Sequence, residues 1–251
     1  MIMKRIFNPS LVLVLVGFVM AHGGTLDPAQ EKYVQKYKTQ PNPPKPGKML
    51  VNTDAEPDLT RGFTNLFNGK DLTGWTPRGG TCTFEAKGGC IVGTCVPGSP
   101  STYLSTDKAD FTDFVFTCEM KWEVNGNTGV MFRAVEQEDK KGKMLVMGPQ
   151  AEMEGFGQDR GWSGGIYGQS CGGWWYPLWL EEHQKVRGAL KEGEWNRLTI
   201  HAKGKVVKTW LNGIPAAHWT NDTYPKGFFG LQIHKGNAGK VLWRGLKVKE
   251  L

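Results

Sequence analysis

The stretch Trp195–Trp219, WNRLTIHAKGKVVKTWLNGIPAAHW, holds three successive strands and both of the turns that join them. Leu198, Ile200 and Ala202 alternate with Thr199, His201 and Lys203, the period-two pattern of a half-buried strand. Lys203-Gly204-Lys205 then reverses the chain. Asn212-Gly213 stands between Leu211 and Ile214 as a two-residue hairpin turn, favoured because both residues tolerate positive φ.

The same reading carries outward to strands at Phe63–Phe67, Thr81–Glu85, Cys90–Gly93, Thr102–Ser105, Asp113–Glu123 and Thr128–Val135. It continues through Gln150–Gly155, Gly164–Tyr167, Gly227–His234 and Lys240–Glu250, the last with a bulge at Gly245. Helix-period patterns are nearly absent, and 34 glycines punctuate 251 residues. These features predict an all-β, two-sheet antiparallel β-sandwich over residues 61–251. The formal charge is +7, yet Lys and Arg are interspersed with acids rather than clustered. Nucleic acid is therefore not an expected partner.

Residues 1–21 read as a signal peptide: Lys4 and Arg5, the apolar run Leu11–Met20, and small residues allowing cleavage after Ala21. The expectation is an exported protein, periplasmic or extracellular, with no membrane span in the mature chain. Residues 22–60 form an extension. Within it, Asp27–Lys38 suits a short helix with Asp27 as N-cap and Pro28 first. Gln40–Lys48 is too proline-rich for regular structure and reads as a linker or surface arm. In an oxidising compartment the five cysteines could form disulfides. Cys118 alternates with Phe114, Phe116, Met120 and Trp122 on a core face, so it is the expected free thiol. Cys82, Cys90, Cys95 and Cys171 then allow one or two bridges of unassigned connectivity. The spacing of Cys82, Cys90 and Cys95 does not fit a structural zinc site.

Gly62–Trp75, GFTNLFNGKDLTGW, resembles the opening signature of the 3-keto-disaccharide hydrolase domain family. The resemblance continues through GVMFR (Gly129–Arg133), GIYG (Gly165–Gly168), GEWN (Gly193–Asn196), WLNG (Trp210–Gly213), LQIH (Leu231–His234) and Trp243–Leu251. It implies a concanavalin A-like jelly roll, an exported carbohydrate-active protein, and cleavage of glycosidic bonds in 3-keto sugars. Deprotonation at C2, elimination at C1 and hydration give net hydrolysis. A non-catalytic carbohydrate-binding module is the alternative. Where the family pattern has Gln two residues after the first Glu of its acidic strand, this chain has Glu154.

Alternation picks out the candidate site. Val130, Phe132, Met153, Ile166, Phe229, Leu231 and Ile233 fit core faces, which turns Arg133, Glu152, Glu154, Tyr167, Gln232 and His234 the other way. Glu152, Glu154 and His234 are the expected acid and base residues, and Arg133 the expected partner of an enolate oxygen. Tyr167 and Gln232 are expected to bind substrate. Ten tryptophans occur; Trp174 and Trp175, beside Gly172-Gly173 and Pro177, are expected in a loop that stacks on sugar. No cofactor is expected, although Glu152, Glu154 and His234 are residue types able to hold a divalent cation.

Overall fold

The structure, a computed structural model, describes residues 23–251; the expected leader over residues 1–21 lies outside them. In chain order the strands are β1 (Thr64–Asn65), β2 (Trp75–Gly79), β3 (Thr83–Lys87), β4 (Cys90–Thr94), β5 (Thr102–Thr106), β6 (Phe114–Val124), β7 (Thr128–Glu138) and β8 (Met144–Met153). They continue as β9 (Ile166–Gln169), β10 (Gly173–Tyr176), β11 (Asn196–Lys203), β12 (Val206–Leu211), β13 (Ile214–Thr220), β14 (Phe228–Ile233) and β15 (Lys240–Glu250). Two short helices, α1 (Glu31–Tyr37) and α2 (Gln184–Arg187), lie outside the sheets.

The strands form the expected two-sheet sandwich. One sheet runs β13-β12-β11-β6-β15-β4-β3 with β1 added on β15; the other runs β10-β9-β8-β7-β14-β5-β2. Every pairing between strands is antiparallel. The Asn212-Gly213 turn has positive φ at both residues (52° and 81°), as a two-residue hairpin requires. Gly245 (φ 60°) sits in the register shift between Arg244 and Lys247. That bulge divides one side of β15, so β4 pairs with Lys240–Trp243 and β1 with Lys247–Val248.

Alternation along β6 and β14 supplies the core. Phe229 of β14 crosses to the facing sheet, with ring centroids 4.6 Å from Phe116 and 4.7 Å from Phe114. Cys118 is buried among these residues, as its position on β6 predicts.

Two segments differ from the sequence reading. Gly173–Tyr176, expected as loop, pairs with β9 as β10, an edge strand. Trp75–Gly79, which is not among the strands expected from sequence, forms β2 at the opposite edge, where its Pro77 is tolerated.

The extension packs on the sandwich. The Asp27 carboxylate accepts from the Ala29 amide (2.9 Å), capping the turn that leads into α1. Further along, the Asn52 side-chain amide donates to the Thr209 carbonyl (3.0 Å), and Glu56 pairs with Arg197. No helix of the described residues is long and apolar enough to cross a membrane.

Candidate active site

Sheet register builds the site in two neighbouring rows on the face of the seven-stranded sheet that points away from the core. Tyr103 of β5 lies opposite Gln232 of β14, Gln232 opposite Gly129 of β7, and Gly129 opposite Glu152 of β8. The next row runs Ser105, Gly230, Met131, Gln150, Tyr167 and Trp174 from β5 to β10. Residues directly opposite one another in a ladder share a face, so the two rows cross six strands on one face. From five of these strands, Tyr103, Gln232, Glu152, Gln150, Tyr167 and Trp174 line a cavity of about 490 Å³ together with Asn127, Arg160, Gln169, His234 and Tyr37.

Gly129 deepens that floor. A Cβ there would stand 2.5 Å from Gln150 Nε2 and 2.9 Å from the Ala151 carbonyl oxygen. Gly129→Ala is therefore expected to cost about 1–3 kcal/mol by overpacking and to push the Gln150 amide out of place. Chemical denaturation read beside ligand affinity would check both effects.

Glu152 is buried and accepts a hydrogen bond from the Asn127 side-chain amide. Burial, reinforced by the charge of nearby Glu154, pushes its carboxyl up to about 8; the Asn127 bond and Arg160 oppose the shift without cancelling it. Glu154 does not line the cavity. Its carboxylate pairs with Arg160 and accepts from the Trp162 amide (2.9 Å), while its own amide donates to Ser163 Oγ (3.0 Å). Glu154 thus holds Arg160 in place instead of facing a ligand. The extra acid relative to the family pattern has a cation beside it.

His234 follows the end of β14 at the cavity rim. Its Nδ1 is 2.7 Å from the Lys235 carbonyl oxygen, which can only accept, so Nδ1 carries the proton and Nε2 keeps a lone pair. Burial, assisted by the Lys235 charge, lowers its pKa even against that hydrogen bond, keeping the ring neutral at neutral pH.

Gln150 and Gln232 are both buried, and Gln150 Nε2 and Gln232 Oε1 have no protein hydrogen-bond partner. A buried polar atom without a partner is costly, and here an orphan donor and an orphan acceptor belong to residues lining one cavity. Gln232 Nε2 meets Tyr103 Oη (3.3 Å) and Gln169 Oε1 (3.4 Å). Burial raises the Tyr103 phenol to about 12, so it remains a neutral hydroxyl.

An aromatic wall closes one side. Trp174 packs edge-on against Tyr167 (5.4 Å) and Trp162 (4.7 Å), and Arg160 lies over the rings of Trp162 and Trp174. The extension contributes as well: Tyr37 lines the cavity and accepts from Arg160 Nη1 (2.8 Å). Trp162 Nε1 donates to Gln30 Oε1 (2.8 Å).

Besides Glu154, two further expected residues fall elsewhere. Arg133 has φ 47° and lies within the β7–β8 register shift between Met131 and Val135, so simple alternation fails there. Its guanidinium donates to the carbonyls of Thr112 (2.7 Å) and Gly204 (2.8 Å) and to Asp113 (3.1 Å), a structural tie to the facing sheet. Trp175 neighbours Trp174 on β10 and points to the opposite face. It stacks on Trp219 (5.2 Å, 13° between planes) in a separate recess of about 160 Å³ that also includes Lys45 and His218. Among the described residues, no three His, Cys, Asp or Glu side chains gather as a metal-binding group, so Glu152, Glu154 and His234 do not form the cation cluster their types allow.

Gln150 was within reach of sequence reasoning, since the alternation that selects Glu152 selects it too. Tyr103 was too, because it alternates with core-facing Leu104 on the expected strand Thr102–Ser105; Tyr37, Asn127 and Arg160 carry no comparable local signal.

A family model described as the 3-keto-alpha-glucoside-1,2-lyase-like domain matches residues 62–249. Among solved structures, a Parabacteroides distasonis protein provisionally described as a glycosyl hydrolase is 24% identical. The alignment covers 80% of this chain and 99% of that one, with a TM-score of 0.53. A Bacillus subtilis protein of unknown function with a galectin-like fold has a TM-score of 0.54 at 13% identity, over 71% of this chain and 90% of that one. Likenesses this distant speak to fold. No curated protein matches the chain.

Proposed function

The chain belongs to the 3-keto-alpha-glucoside-1,2-lyase-like family, and we propose that it cleaves the C1–oxygen bond of 3-keto-glucosides by elimination and hydration. The observation that carries this reading is one cavity lined by both Glu152, whose carboxyl burial raises to about 8, and His234, whose imidazole burial keeps neutral. Such a pair can give and take protons without first exchanging them with solvent.

In this reading His234 Nε2 takes the C2 proton, which the neighbouring C3 carbonyl acidifies. The electron pair moves onto the C3 oxygen, where the orphan Gln150 amide and the Tyr103 hydroxyl donate hydrogen bonds. The C1–oxygen bond then breaks as Glu152 protonates the leaving oxygen. Water adds at C1 with the Glu152 carboxylate taking its proton, and His234 returns a proton to C2. The orphan acceptor of Gln232 suits a sugar hydroxyl, and Trp174 with Tyr167 offers an apolar surface to a ring face.

Purified protein offered a 3-keto-glucoside and its parent glucoside should release the aglycone from the keto sugar alone. Binding to both without release from either would instead support a carbohydrate-binding module, the reading that rests on the aromatic wall and orphan amides without the chemistry. His234→Ala is expected to lower turnover roughly a hundredfold or more. His201→Ala, on β11 of the other sheet, should leave turnover unchanged; steady-state kinetics of the pair checks the placement.

A further inference from the structure

All five cysteines carry free thiols in the structure, so the bridges expected from sequence are not formed in it. Two of them nevertheless face each other. The β3–β4 ladder runs from Lys87 opposite Cys90 to Thr83 opposite Thr94, which places Cys82 opposite Cys95 one step past its open end. The Gly88-Gly89 turn makes Lys87 and Cys90 a hydrogen-bonded pair, and alternation then makes Cys82 and Cys95 a non-hydrogen-bonded one. The backbone agrees: the Cys82 amide donates to Thr102 Oγ1 (2.9 Å) and the Cys95 amide to the Gly239 carbonyl (2.8 Å). Opposed Cα atoms at such a position are about 4.5 Å apart, within the span of roughly 4.4–6.8 Å that a disulfide bridges.

Both side chains are buried in the main core cluster. The other cysteines have different neighbours. Cys118 lies opposite Leu198, Cys90 opposite Lys87, and the Cys171 sulfur meets Tyr224 Oη (3.1 Å).

We propose that Cys82 and Cys95 form a disulfide that staples one wall of the cavity. Three rim segments meet at this pair. The Thr81 amide next to Cys82 donates to Ser99 Oγ (2.7 Å), and the Gly80 amide donates to the Ser101 carbonyl (3.1 Å). The Cys95 thiol donates to the carbonyl of Gly236 (3.4 Å), just beyond cavity-lining His234 and Lys235. Joining the two sulfurs ties the end of β4 to the strand that enters from Gly79.

The oxidant can be any small disulfide such as oxidised glutathione. The Cys82 thiolate attacks it, releasing one reduced glutathione and leaving a mixed disulfide on Cys82. The Cys95 thiolate then attacks the Cys82 sulfur and releases the second glutathione. Two protein thiols are oxidised and one glutathione disulfide is reduced, the protons passing to the departing thiolates. The order follows from the surroundings. Burial pushes the Cys82 thiol up, but hydrogen bonding from the Val96 amide and the side chains of Thr102, Ser99 and Cys95 outweighs it and lowers the net pKa. Burial and the neighbouring Cys82 raise that of Cys95.

The full chain would be treated with oxidised glutathione, both folded and during refolding, then alkylated and digested with trypsin without reduction. The expected product links Gly79–Lys87 to Gly88–Lys108, with fragmentation placing the bond at Cys95 and not Cys90. The oxidised protein should melt roughly 5–10 °C higher than the reduced one, and Cys82→Ser should remove both results. A bond at Cys90, a stable glutathione adduct on Cys82, or five alkylated cysteines after refolding would each overturn the proposal.

Discussion

Replacing Glu152 with glutamine lowers turnover of a 3-keto-glucoside roughly a hundred- to thousandfold and abolishes the alkaline limb of the pH profile. Glu152 holds its proton up to about pH 8 because burial and the Glu154 charge disfavour its ionised form. Activity of the parent protein should fall above that pH as the acid is lost. On the other side it should fall only below the ordinary histidine range, where His234, its pKa lowered by burial, takes up a proton. The amide preserves volume and polarity but has no proton to give. The same substitution has a signature in stability. A carboxyl whose folded pKa is raised above its unfolded value contributes stability at low pH, and that contribution is lost as pH rises through the folded pKa. From the ordinary value of 4.5 to about 8, the loss is on the order of 4–5 kcal/mol. The parent protein should therefore lose stability between pH 5 and pH 9, while Glu152→Gln loses markedly less. Denaturation curves at the two pH values give the comparison.

Arg160→Leu should be the most destabilising single change at the site. Its guanidinium pairs with Glu154, which is 1% exposed, and lies over Trp162 and Trp174. Removing it leaves a buried carboxylate without its cation, at a cost of about 3–5 kcal/mol. It also removes one influence that lowers the Glu152 pKa, so the alkaline limb should move upward in whatever protein remains folded. Glu154→Gln in the same chain removes the stranded charge and should recover much of the stability. Urea denaturation of the single and double variants measures the coupling.

Regular strands made much of the site legible in the sequence. Period-two alternation places Glu152, Tyr167, Gln232 and His234 on the face opposite the core because β8, β9 and β14 are regular there, and all four line the cavity. Arg133 escapes the rule because a register shift with positive φ turns the chain at that residue. Trp174 and Trp175 are separated by the same alternation once β10 is known to be a strand, but flanking glycines and proline make it read as loop. β2 is hidden by Pro77 for a similar reason. Tyr37 is the hardest to foresee. Its place at the cavity depends on how the extension lies over Trp162 and Arg160, residues more than a hundred positions away. Long-range packing of that kind leaves no periodicity in the chain.

The claim at the centre of this account is that the C2 hydrogen leaves when the glycosidic bond breaks. A 3-keto-glucoside deuterated at C2, turned over in ordinary water and sampled before spontaneous exchange sets in, tests it most directly. In a single turnover, aglycone should appear more slowly from this sugar than from the unlabelled one, by a primary isotope effect on C2–H cleavage that holds even when His234 returns the same hydrogen, and His234→Ala should slow release from both. Equal rates of aglycone release from the two sugars would contradict C2 deprotonation.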